Sequence, residues 1–90
     1  MNPRFLTVED VVAIHIDQID AFGGQHGVRD MAMVESAVNQ PRAMFGGQYL
    51  HEDLFDMAAA YMVSLVNGHS FHDGNHRIAL AAAMVFLEIN

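Results

Sequence analysis

At 90 residues, 52% of them hydrophobic and 17% charged, the chain has room for one folded domain (residues 1–90) with a modest core. Its formal charge of −7 and its four cations, all arginines (Arg4, Arg29, Arg42, Arg77), exclude the basic stripe that direct nucleic-acid binding requires, and the absence of lysine excludes a P-loop. No cysteine is present, which excludes a disulfide framework, a thiolate metal site and a thiol nucleophile, and is in keeping with a reducing cytoplasm.

The opening "MNPRFLTVED" lacks the apolar centre of a signal peptide. Thr7 followed by Asp10 predicts a helix start of the capping-box kind. Val8, Val11, Val12, Ile16, Ile19 and Phe22 then recur at helical spacing until Gly23-Gly24 stops the helix. "GGQHGVRD" reads as a loop. Asp30 is placed to cap a short second helix, Met31 to Val38, which ends before Pro41. Residues 40–53 read as an irregular connection with room for a small hairpin or flap. Asp53 caps a third helix to Asn67, with Leu54, Ala58, Tyr61, Met62 and Leu65 on one face and Gly68 as its stop. Asn75 is expected to cap a last helix running to about Asn90. That helix is apolar nearly all round, so it is predicted to be the buried centre of an all-α bundle of four to five helices. Its apolar run, Ile78 to Leu87, is about half the length a membrane span requires.

Between the last two helices lies "HSFHDGNHR", residues 69–77. Gly74 permits tight or left-handed backbone just before a helix whose unpaired N–H groups form a ready anion site. Asn75 and Arg77 fall in the first turn. An arginine there is unfavourable by the helix dipole, so a bound phosphate is the expected compensation. His69 is a candidate base for a hydroxyl near neutral pH, and Asp73 offers the hard oxygens that suit Mg²⁺. Phe71, between polar neighbours, is expected to point into the core. The set suits phosphoryl or nucleotidyl transfer to a hydroxyl. Two other readings share the same residues: a solvated interhelix loop, and a transition-metal site built from His69, His72 and His76. His15, within the apolar stripe of the first helix, reads as a hydrogen-bonded core histidine. Phe45 and Tyr49 fit either packing of the flap or contact with a target.

"HSFHDGNHR" resembles the signature of the Fic/Doc superfamily, His-x-Phe-x-(Asp/Glu/Asn)-(Gly/Ala)-Asn-x-Arg. "HIDQIDAFGGQHGVRDMAMVESAVNQP", "LFDMAAAYMVSLVNGHSF" and "RIALAAAMVFLEIN" resemble the Doc (death-on-curing) branch. The resemblance implies a small helical enzyme that uses ATP and Mg²⁺. His69 would be the base, Asp73 the magnesium ligand, and Gly74, Asn75, His76 and Arg77 the phosphate-binding set. A flap within residues 42–52 would position the target. It further implies a toxin that phosphorylates elongation factor Tu, silenced by a Phd-type antitoxin. Fic motifs carry a second arginine three residues after the first, where this chain has Leu80, so a Doc kinase is favoured over an AMP transferase. His76 stands where Doc members carry lysine and Fic members glycine. Family members continue past "FLEIN", which implies a truncated form whose last helix is capped by an antitoxin helix or paired in a homodimer. A catalytically inactive antitoxin-binding fragment is the reading from a different class.

Overall fold

Helix α1 (Val8–Phe22) starts where Thr7 and Asp10 close on each other: the Thr7 hydroxyl accepts from the Asp10 N–H at 3.1 Å, and the Asp10 carboxylate accepts from the Thr7 N–H at 2.9 Å. It stops at Gly23, whose positive φ of 87° turns the chain away while its N–H still donates to Ile19 O. This computed structural model describes residues 2–90. The buried face of α1 is Val11, His15 and Ile19. Ile16 and Phe22, expected in the stripe, are exposed instead: the 11-15-19 row is fully buried, Val8, Val12 and Ile14 pack half-buried against the same core, and Phe22 at the helix end meets the Arg77 guanidinium rather than core.

Helix α2 (Met31–Asn39) is capped by Asp30, whose carboxylate accepts from the Ala32 and Met33 N–H groups. The predicted flap contains an antiparallel pair, β1 (Met44–Phe45) and β2 (Gln48–Tyr49), joined through Gly46 and Gly47. Both glycines have positive φ, 60° and 80°, as the tight primed turn of a two-residue hairpin loop demands. Tyr49 packs on Phe5 with ring centroids 5.6 Å apart, whereas Phe45 is 81% exposed, so these two aromatics have different surroundings.

Helix α3 (Leu54–Gly68) is capped by Asp53, which accepts from the Asp56 N–H at 2.8 Å. Its core face is Met57, Ala58, Ala60, Tyr61 and Leu65, and Met62 turns toward solvent. Gly68 does not stop this helix. It is the last helical residue, and the left-handed turn falls on His69. Gly68 serves contact instead, because Met33 of α2 lies 3.3 Å from where a Cβ would stand.

Helix α4 (Asn75–Ile89) packs on both α3 and α1. Ala79, Ala82 and Ala83 keep its inner face small enough for close approach, while Ile78 and Phe86 fill the core. The expected all-round burial is not found: Leu80 and Met84 are each 52% exposed, because α3 and α1 cover only part of its circumference. The N-terminal arm crosses the bundle and is fastened twice. The Leu6 N–H donates to the buried Tyr61 hydroxyl at 2.9 Å, and the Asn90 amide pairs with both backbone groups of Arg4. Burial pushes the Tyr61 phenol above its ordinary pKa. Among the described residues there are four helices, and one core cluster draws on all of them. No helix among them is long and apolar enough to cross a membrane.

Candidate active site

The loop from His69 to Gly74 is held between two helix ends and a strap formed by residues 23–30. His69 adopts φ 46° and ψ 48°, the sole left-handed non-glycine among the described residues. Phe71 is buried as expected, and an antiparallel bridge pairs it with Val28. The Arg29 and Asp30 N–H groups both donate to Ser70 O, at 2.8 and 3.1 Å, and the His72 N–H donates to Gly27 O at 3.2 Å. His15 is 2% exposed and supports the loop from below. Its ring stacks on Phe71 with centroids 3.9 Å apart, and Nε2 donates to Asp73 O at 2.8 Å. A carbonyl can only accept, so Nε2 carries the proton.

Asp73 is exposed but oriented. One carboxylate oxygen accepts from the Gln25 N–H at 3.2 Å and the other from the Gly74 N–H at 2.9 Å. Those two backbone bonds, Gln25 first, hold the carboxyl below the usual carboxylate range, with a smaller pull from Arg77. Each oxygen keeps a free lone pair, a donor set that suits a hard cation bound through one carboxylate and phosphate oxygens. Asp73 and Arg77 converge over Gly24: a Cβ there would stand 2.8 Å from Asp73 Oδ2 and 3.2 Å from Arg77 Nη2.

The start of α4 differs from the sequence expectation. Its N-cap is Gly74, left-handed at φ 74°, not Asn75, and no side chain caps the helix. The Asn75 side chain turns back instead. Its Oδ1 accepts from the Phe71 N–H at 3.1 Å and its Nδ2 donates to Phe71 O at 2.9 Å, closing the loop on itself. With the asparagine committed there, the first-turn N–H groups of α4 lack any side-chain acceptor. Arg77 also has a protein partner: Nη2 donates to Gly23 O at 2.8 Å, at the negative end of the α1 dipole, and the guanidinium lies over the Phe22 ring. This contact accounts for an arginine at a helix start without any anion. The remaining guanidinium donors stay available.

The His69 and His76 side chains are exposed, and neither ring is hydrogen-bonded within the described residues. Among those residues no three histidines or carboxylates converge, so His69, His72 and His76 do not form a metal set. Three participants escaped the sequence reading. Gln25 and Arg29 act through backbone and side-chain bonds across some forty-odd positions, as their separations of 48 and 40 residues show. His15 was legible as a core histidine but not as a support of the loop.

A model of the Fic/DOC family matches residues 5–87. The protein kinase doc of Escherichia phage P1 is 33% identical over 87 residues, covering 97% of this chain and 68% of that protein. The toxin Doc of Mycolicibacterium smegmatis is 46% identical over 70 residues, covering 78% of this chain and 54% of that protein. The matched part is thus about two thirds of one relative and about half of the other.

Proposed function

This chain belongs to the Fic/DOC family, on its Doc branch, and from that premise we propose that it is a Doc-type toxin that transfers the γ-phosphoryl group of ATP to a hydroxyl of elongation factor Tu in the cytoplasm. One observation carries the reading: the uncapped start of α4, with Asp73 and Arg77 converging beside it over Gly24. A helix start whose donors have no side-chain acceptor favours a phosphate.

In this reading the first-turn N–H groups of Asn75, His76 and Arg77 bind phosphate oxygens, the spare donors of Arg77 join them, and the left-handed Gly74 leaves the approach open without a side chain. Asp73 would hold Mg²⁺, which supplies charge neutralisation at the phosphates. His69 takes the proton from the target hydroxyl. The hydroxyl oxygen then forms a bond to the γ-phosphorus, the bond between that phosphorus and the bridging oxygen breaks, and ADP leaves. The hairpin Met44–Tyr49, fastened through Tyr49 and tipped by exposed Phe45, is the surface that positions the target chain. His76, exposed in the first turn, adds positive charge to the phosphate site when protonated.

Phe22, Leu80, Ala81 and Met84 line an apolar groove beside Arg77. It supports a partner on this face, a Phd-type antitoxin or a second copy in a homodimer. The deciding experiment uses isotope transfer. Label from γ-³²P-ATP on elongation factor Tu is expected. Label from α-³²P-ATP would mean AMP transfer instead. Label from neither would overturn the enzyme reading and leave an antitoxin-binding module.

A further inference from the structure

His69 occupies a backbone region that a residue with a Cβ avoids, since in it the Cβ crowds the carbonyl oxygen. Glycine is the usual residue at such a helix C-terminus, and the chain has a glycine one position earlier that it does not use for this turn. Something must hold the histidine there. The direction of a residue's carbonyl is set by its own ψ, so a donor fixed on the His69 carbonyl fixes ψ of His69 and with it the direction in which the side chain leaves.

That donor is Arg29. Its Nε donates to His69 O at 2.7 Å, while its own backbone N–H donates to the next carbonyl, Ser70 O, at 2.8 Å. One residue therefore grips two successive carbonyls, those of His69 and Ser70, directly after the left-handed Cα. The grip is anchored at its own end. Asp30, the next residue, also donates to Ser70 O and caps α2, and Val28 pairs with the buried Phe71. Among the described residues the ion pair present is His26 with Asp20, so the Arg29 guanidinium is spent on a carbonyl rather than on a carboxylate.

We infer that Arg29 is a positioning residue for His69: it holds the candidate base in the left-handed conformation that aims its imidazole. This rests on the reading of His69 as the base, but the backbone half of the claim does not. Lysine keeps the charge but lacks the planar fork, so it would reproduce the contact incompletely. Glutamine keeps an amide donor without the charge.

The experiment is NMR on the full chain, combined with phosphoryl transfer from ATP to elongation factor Tu. The intraresidue HN–Hα NOE of residue 69, strong when φ is positive, reads the turn directly. In Arg29→Ala that signature is expected to disappear while the Val28–Phe71 cross-strand contacts persist. The turnover number should fall at least tenfold with the KM for ATP unchanged, because phosphate binding at α4 is untouched. Arg29→Gln and Arg29→Lys should recover part of both readouts, and they replace the alanine variant if it does not fold. A folded Arg29→Ala chain that keeps the left-handed signature at His69 overturns the inference. So does a lost signature with full turnover. If the unmodified chain transfers no phosphate at all, the proposed activity fails, and the NOE still decides whether Arg29 sets the turn.

Discussion

Among the described residues, three of the four helices begin closed and one begins open. Thr7, Asp30 and Asp53 each turn a side-chain oxygen onto N–H groups of α1, α2 and α3, satisfying donors that would otherwise point at water. At α4 the corresponding position is a left-handed glycine with no side chain to offer. The one residue able to act in its place, Asn75, has both ends of its amide committed to Phe71. The closed starts serve stability locally. Two charged groups beside the open start are oriented from elsewhere in the chain, Asp73 by the Gln25 N–H and Arg77 by Gly23 O, and the His69 carbonyl that opens the loop is held by Arg29. The difference teaches that capping is not uniform here: donors are left free at the one helix start beside which Asp73 and Arg77 are held in place, which is where the proposed phosphate site lies.

The largest expected effect lies at the candidate base. His69→Ala should lower phosphoryl transfer by about a hundredfold or more, the usual cost of losing a general base, while circular dichroism shows the helical content unchanged. A folded variant with full toxicity would remove His69 from the mechanism. Next comes Gly24→Ala, which puts a methyl group against Asp73 and Arg77 at a φ of 119° that only glycine adopts readily. Displacing one charge-assisted contact, about 1.5–3 kcal/mol, should weaken ATP binding roughly ten- to hundredfold by calorimetry. Unchanged affinity would show that the convergence over Gly24 does not serve the nucleotide. Closing the comparison from its other side, Thr7→Ala and Asp53→Ala should each cost about 1 kcal/mol in urea unfolding and leave ATP affinity alone. The smallest effect concerns acid. The Asp73 carboxyl has a folded pKa held below its unfolded value of about 3.9, so its contribution is present above that value and is lost as pH falls through the folded one. Urea midpoints measured from pH 5 to pH 2 should therefore decline slightly less steeply in Asp73→Asn than in the unmodified chain. Equal slopes would mean that the Gln25 and Gly74 bonds do not select the charged form.

Much of this arrangement can be read from the residues alone, and what cannot has physical reasons. Helix starts are local, so Thr7 with Asp10, and Asp30 and Asp53 before apolar runs, placed three helices to within a residue or two. Asn75 misled because the same amide that caps a helix can close the loop before it, and sequence does not distinguish the two. Gly68 misled because glycine serves left-handed turns and close contacts alike. Here Met33 takes the space, and His69 takes the turn. The strap of residues 23–30 carries no periodicity, and its bonds reach across 40 positions or more, so it read as an ordinary loop. The last helix is apolar on every side, so its composition gives no direction, and only the packed structure shows that Leu80 and Met84 face outward. The family was legible because "HSFHDGNHR" is compact, while the residues that hold that loop in place are scattered.

The central claim is that α4 begins open because it receives phosphate. Titrating the labelled protein with ATP and Mg²⁺ while following backbone amide resonances tests it most directly. The account predicts saturable shifts at Gly74, Asn75, His76 and Arg77, with the first-turn amides of the capped helices, Val8 to Asp10, Met31 to Met33 and Leu54 to Asp56, unmoved. No shift between residues 69 and 78, or shifts at the capped starts instead, would contradict it.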